Sequence, residues 1–159
     1  MKNALYLGLL AIALFASACG NDDDGGDTPM NFLPNENDLL IKLNWTTADA
    51  EFDLIEVLAP GGVVMDSEGF DTGTIANVVF SGDDADSPGE ESIRFNDSAP
   101  DGSYTVFYDT GFTEDDDESY MATLEITSQG TSQTFTNSID SEGEVEINFT
   151  KTGGRLTFQ

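Results

Sequence analysis

From Leu39 to Phe158 the apolar residues of this chain fall at every second position in one segment after another. No stretch sustains the three-to-four-residue spacing of an amphipathic helix. A chain with that pattern can bury one face of each segment only as β-strands. The organising stretch is Leu39–Gly62, LLIKLNWTTADAEFDLIEVLAPGG. Ile41, Leu43 and Trp45 alternate with Lys42 and Asn44. Phe52 and Leu54 then alternate with Glu51, Asp53 and Ile55, and Pro60-Gly61-Gly62 makes the turn. Strict alternation beyond Leu54 would place Glu56 inside. A bulge at Ile55 would restore the register and turn Val57 inward. The alternative is that both faces are partly buried there.

The rhythm continues downstream. Ile75–Phe80 is rich in strand formers, Ile93 and Phe95 flank Arg94, and Tyr104, Val106 and Tyr108 alternate. Tyr120 to Ile126, Val145 to Phe149 and Leu156 to Phe158 follow the same period, with a weaker strand marked by Phe135 and Ile139. Turns fall at Ala99-Pro100-Asp101-Gly102, Gln129-Gly130 and Thr152-Gly153-Gly154. Proline fixes φ and glycine accepts positive φ, so these are strong turn signals. The expected fold is all-β: an antiparallel, jelly-roll-like β-sandwich of about eight or nine short strands over residues 39–159.

Charge limits the partners. Lys plus Arg number 5 against 31 Asp plus Glu, a formal charge of −26. No basic patch exists to displace counterions from a phosphate backbone, so nucleic acid is not an expected partner. The chain has no histidine. That removes imidazole-dependent triads and histidine-ligated metal centres. Its single cysteine, Cys19, forms no intrachain disulfide.

Residues 1–18 read as a signal peptide: Lys2 provides the positive start, Ala4–Phe15 the apolar run, and Ala16-Ser17-Ala18 the small-residue cleavage site. The run is shorter than the roughly 20 residues a spanning helix needs. Ending directly on Cys19, it resembles the lipobox of bacterial lipoproteins, although Ala16 stands where that motif more often has Leu. The resemblance implies lipidation at Cys19, attachment to a membrane through the lipid, and an outer-membrane location. Residues 19–38 then read as an acidic, flexible tether. Asp22-Asp23-Asp24 resembles the acidic export tag of surface-exposed lipoproteins.

Two stretches resemble pre-peptidase C-terminal-like and YfaP-type domains of secreted bacterial proteins. The first carries Leu43, Trp45, Glu51, Asp53, Leu54, Pro60 and Gly61. The second carries Pro88, Gly89, Glu90, Ile93, Ala99, Pro100, Gly102, Tyr104 and Val106. One extra residue lies between Leu54 and Pro60, and the Gly-Pro order is inverted at Pro88-Gly89. The resemblance covers about Ile41 to Ile126. It implies a non-catalytic sandwich module that binds a polymer, a protein or calcium.

Several residues carry a sharper reading. In Pro100-Asp101-Gly102-Ser103-Tyr104 the tyrosine is placed to make a tyrosine corner, a structural role. Trp45 shares a face with Ile41 and Leu43, which assigns it to the core rather than to a sugar platform. Tyr108, Phe112 and Tyr120 flank the acidic run Glu114–Glu118 and are the better platform candidates for a glycan-binding accessory protein. Glu51 and Asp53 project from one strand face, where two carboxylates repel unless a cation lies between them. If the loop carrying Asp83, Asp84, Asp86, Glu90 and Glu91 folds over that face, it completes an oxygen-rich calcium site. The competing reading is a solvated acidic face. An enzyme such as a carboxylate-pair hydrolase needs two acids facing each other across a cleft. Acids on an open strand face do not provide that, so no catalysis is expected.

Overall fold

The structure is a computed structural model that describes residues 33, 35–66, 69–70, 75–82, 88–115 and 117–159. Its strands are β1 (Leu39–Trp45), β2 (Ala50–Ala59), β3 (Gly62–Asp66), β4 (Gly69–Phe70), β5 (Val78–Phe80), β6 (Gly89–Phe95), β7 (Gly102–Thr113), β8 (Tyr120–Ser128), β9 (Thr131–Ile139), β10 (Glu144–Thr152) and β11 (Arg155–Phe158). They form two antiparallel sheets. Sheet A runs β5-β6-β1-β8-β9 and sheet B runs β11-β10-β7-β2-β3-β4. The chain crosses between sheets repeatedly, so the β1–β2 connection already spans the two layers. The fold is an antiparallel β-sandwich.

The alternation of the sequence becomes the core. Leu39, Ile41, Leu43 and Trp45 point inward from β1, while Ile93 and Phe95 do so from β6, and Ala122, Leu124 and Ile126 from β8. Phe52, Leu54, Val57, Val106, Tyr108 and Phe149 face them from sheet B. Period two is what makes this possible, because each strand then offers one wholly apolar face. Tyr104 stacks on Phe149 with centroids 4.9 Å apart and meets Phe95 edge-on at 6.1 Å. Such pairs add about 0.5–1.5 kcal/mol beyond the area they bury.

Two bulges set the register between β2 and β7. Leu54 pairs with Tyr108 and Glu56 with Phe107, so Ile55 is the extra residue and Val57 returns to the core. On β7, Glu51 pairs with Phe112 and Phe52 with Thr110, which leaves Gly111 unpaired. A Cβ at Gly111 would stand 2.0 Å from Asp53 Oδ2, so glycine lets the Asp53 carboxylate lie against the backbone.

Three features differ from the expectation. The strand anticipated over Ile75–Phe80 is confined to Val78–Phe80. The segment marked only by Phe135 and Ile139 is a full nine-residue strand, β9, paired with β8 without a slip. The packed body also begins before Leu39. Leu33 is buried, and Asp38 Oδ1 accepts the Asp97 N–H at 2.6 Å. The Ala99 N–H donates to the Asn37 carbonyl at 2.8 Å, so residues 35–38 are laced to the loop before β7.

Candidate functional site

The loop Ala99–Gly102 and the start of β7 form the best-defined polar structure among the described residues. Tyr104 is buried, and its hydroxyl donates to the Pro100 carbonyl oxygen at 2.6 Å. That is the geometry of a tyrosine corner. Burial, and then the nearby Asp101 charge, push the Tyr104 hydroxyl well above its ordinary range. It therefore serves as a neutral donor. Asp101 Oδ1 accepts the Gly153 N–H at 2.9 Å and lies 3.1 Å from Lys151 Nζ. Those two contacts, the backbone one first, hold the Asp101 carboxyl below its usual range. Lys151 is fully buried on the inner face of β10, with its ammonium reaching the rim. Corner and ion pair together tie β7 to the β10–β11 turn. Their chemistry is that of a brace.

The acidic residues do not converge. Glu51 and Asp53 lie on the outer face of sheet B, opposite the buried Phe52 and Leu54. Glu90 lies on the outer face of sheet A, where it pairs with Lys42 at 2.5 Å. Glu91, its neighbour in sequence, points inward, is buried, and accepts the Leu54 N–H at 2.9 Å through Oε2. Of the seven acids of the expected calcium site, Glu51, Asp53, Glu90 and Glu91 are described. Its four described members point in three directions, because consecutive residues on a strand face opposite ways. Asp83, Asp84 and Asp86 lie outside the described residues, as do Cys19 and the rest of residues 1–32. Among the described residues no group of three or more acidic side chains is disposed to hold a metal ion.

Asp53 has other neighbours instead. It pairs across the ladder with Asp109, which pairs in turn with Glu144. Three carboxylates thus sit side by side over β2, β7 and β10. Burial first, and then the Glu144 charge, push the Asp109 carboxyl above its ordinary value. The row escaped the sequence reading because strand pairing across 56 and 35 residues cannot be read from local period. The signal available was parity alone: Asp109 alternates with the buried Tyr108.

The aromatic candidates divide in the same way. Trp45 is in the core and packs against Phe52 at 6.0 Å. Tyr108 is buried and accepts a 2.7 Å hydrogen bond from Asn137 Nδ2 across the two sheets. Tyr120 is buried as well, so neither tyrosine can be a platform. Phe112 is 56% exposed and borders a shallow cleft of about 280 Å³ with Thr110, Gly111, Thr113 and Ser141. One exposed ring beside a shallow cleft does not make a row for stacking sugars.

Comparison with known proteins returns no match: no family model, no curated protein and no solved structure is similar to this chain.

Proposed function

We propose that this chain is a lipid-anchored, non-catalytic binding or adhesion module displayed at the outer membrane. The observation that carries the reading is the single cysteine placed directly behind a short apolar run and Ala16-Ser17-Ala18. The sandwich that follows supports it. Its side chains are spent on a core and on braces, and its described acids lie on open faces or are engaged inside. The resemblance of Leu43–Gly61 and Pro88–Val106 to pre-peptidase C-terminal-like and YfaP-type modules points the same way. Such a module acts by presenting surface to a polymer or protein partner at the end of a tether.

Mass spectrometry of the mature N-terminus tests the anchor. The expected product begins at Cys19 with acyl chains on the thiol and amine. Cys19→Ser is expected to accumulate as uncleaved precursor and to leave the membrane fraction. A mature chain that starts elsewhere and carries an unmodified cysteine refutes the anchor. Protease treatment of intact cells tests display, with loss of the sandwich expected before lysis.

A further inference from the structure

Every open sheet has edges, and natural proteins protect them with short strands, charges, proline or bulges. Among the described residues, three of the four edges here are short: β5 has 3 residues, β11 has 4 and β4 has 2. The fourth, β9, is different. It has 9 residues, TSQTFTNSI, with no charge and no proline, and nine consecutive register pairs to β8 without a bulge. No other strand longer than three residues is free of charge. Its outer side has no strand partner among the described residues.

The two ends of β9 differ in their charged neighbours: Arg155 adjoins the first, where Glu125 Oε1 also accepts from Ser132 Oγ at 3.3 Å, and Asp140 and Glu142 adjoin the second. At the Thr131 end, the Leu156 N–H donates to Thr131 Oγ1 at 3.4 Å, which brings Arg155 alongside. Arg155 is exposed and forms no ion pair among the described residues. At the Ile139 end the turn carries Asp140 and Glu142, both exposed. Eight residues of strand place the two ends about 27 Å apart, so they cannot pair within one chain.

We propose that β9 docks antiparallel on β9 of a second copy, joining two A sheets across a twofold axis near Phe135. A closed twofold contact uses the same surface on both partners. With an excess of 26 acids, two copies repel over most surfaces. An uncharged strand is where they can approach, and only the antiparallel arrangement sets Arg155 of each copy beside Asp140 and Glu142 of the other. Parallel docking would put like ends together.

The test is sedimentation equilibrium of the purified full chain, in detergent matched to solvent density so that micelles add no mass. The expected result is a monomer–dimer equilibrium that Arg155→Glu weakens by about tenfold, since it turns two attractive rim contacts repulsive. Asp140→Arg with Glu142→Arg is expected to weaken it similarly, although it lowers the net negative charge. Combining all three substitutions is expected to restore the dimer. Thr134→Lys with Thr136→Lys, which sets four lysines together across the axis, should abolish it. General charge repulsion predicts the opposite for both of the cationic variants. A chain that stays monomeric up to about 100 μM, where contacts of useful strength are populated, overturns the proposal. So does a dimer indifferent to the β9 lysines, and so does a β9 edge that captures only cationic peptides. Circular dichroism melts confirm that each variant is folded.

Discussion

The Pro60 ring lies directly over the α-carbon of Gly102. A Cβ at Gly102 would stand 2.7 Å from Pro60 Cγ and 2.9 Å from Pro60 Cβ, and the backbone there has φ +141°. The turn after β2 and the corner before β7 are therefore one contact, built from the two stretches Leu43–Gly61 and Pro88–Val106. Leu58 pairing with Thr105 brings them together. Gly102→Ala is expected to cost about 2–4 kcal/mol, from strained φ and overlap together. Adding Pro60→Gly removes the overlap but not the strain. The double variant should then lose less than the sum of the two single losses, as a urea-denaturation cycle would show.

The hydroxyl of Tyr104 is the second test of the corner. Tyr104→Phe keeps the ring on Phe149 and removes only the donor to Pro100. The expected loss is about 0.5–1.5 kcal/mol, the net worth of a hydrogen bond, because the half-buried Pro100 carbonyl is left without that partner. Thr157→Ser, at an exposed position of β11, should change stability by less than about 0.5 kcal/mol. Equal urea midpoints for Tyr104→Phe and the unaltered chain would remove the corner's energetic role.

Local period carries most of the sandwich and fails at charges. The inward faces of β1 and of β2 as far as Leu54 follow from alternation in one segment, and the bulge at Ile55 that turns Val57 inward is one of the two arrangements that segment allows. The same rule, extended back from Ile93 and Phe95, places Glu91 inside; extended forward from Phe149, it places Lys151 inside. Reading every charge as solvated hides both. Their burial depends on partners distant in sequence: Leu54 N–H for Glu91 and Asp101 for Lys151. Sequence alone does not supply those pairings. The same gap hides the ladder that sets Asp53 beside Asp109.

Glu91 crosses from sheet A to bind backbone of β2, next to the Ile55 bulge. Glu91→Ala is expected to cost about 2–4 kcal/mol, through a buried donor left without its partner and a cavity. Glu91→Gln keeps a carbonyl acceptor and should lose less. Hydrogen exchange at the Leu54 amide is the direct readout. It should accelerate in Glu91→Ala and stay near the unaltered rate in Glu91→Gln.

Calcium offers a clean comparison. A specific ion at a hundred times its dissociation constant would add about 2.7 kcal/mol to stability. Because Glu51 and Asp53, Glu90, and Glu91 point three ways, the expected stabilisation is ionic screening alone. Calcium and magnesium should raise the melting temperature equally at matched ionic strength, and Asp53→Asn should not remove a calcium-specific increment. A larger rise with calcium, lost in Asp53→Asn, would place a metal on the outer face of sheet B.

Asp101 and Asp109 should respond to pH in opposite senses. The Gly153 N–H, then Lys151, hold the Asp101 carboxyl low. A depressed folded value contributes stability above the unfolded carboxylate pKa of about 3.9 and loses it as pH falls through the folded value. Asp101→Asn should therefore destabilise at pH 7 and have no effect once the carboxyl is protonated in both states. Asp109 is raised, by burial and then by Glu144. A raised folded value contributes stability that is complete below the unfolded pKa and is lost as pH rises through the folded one. At pH 7 the ionised Asp109 is therefore a burden, softened by solvent because the side chain is only half-buried. Asp109→Asn should stabilise there by about 0.5 kcal/mol, the scale of a screened surface charge pair, and the gain should vanish below pH about 4. Urea melts of the two variants between acid and neutral pH should give difference curves of opposite sign. A stabilising Asp101→Asn at pH 7 would mean that the Lys151 contact costs more in desolvation than its charge returns.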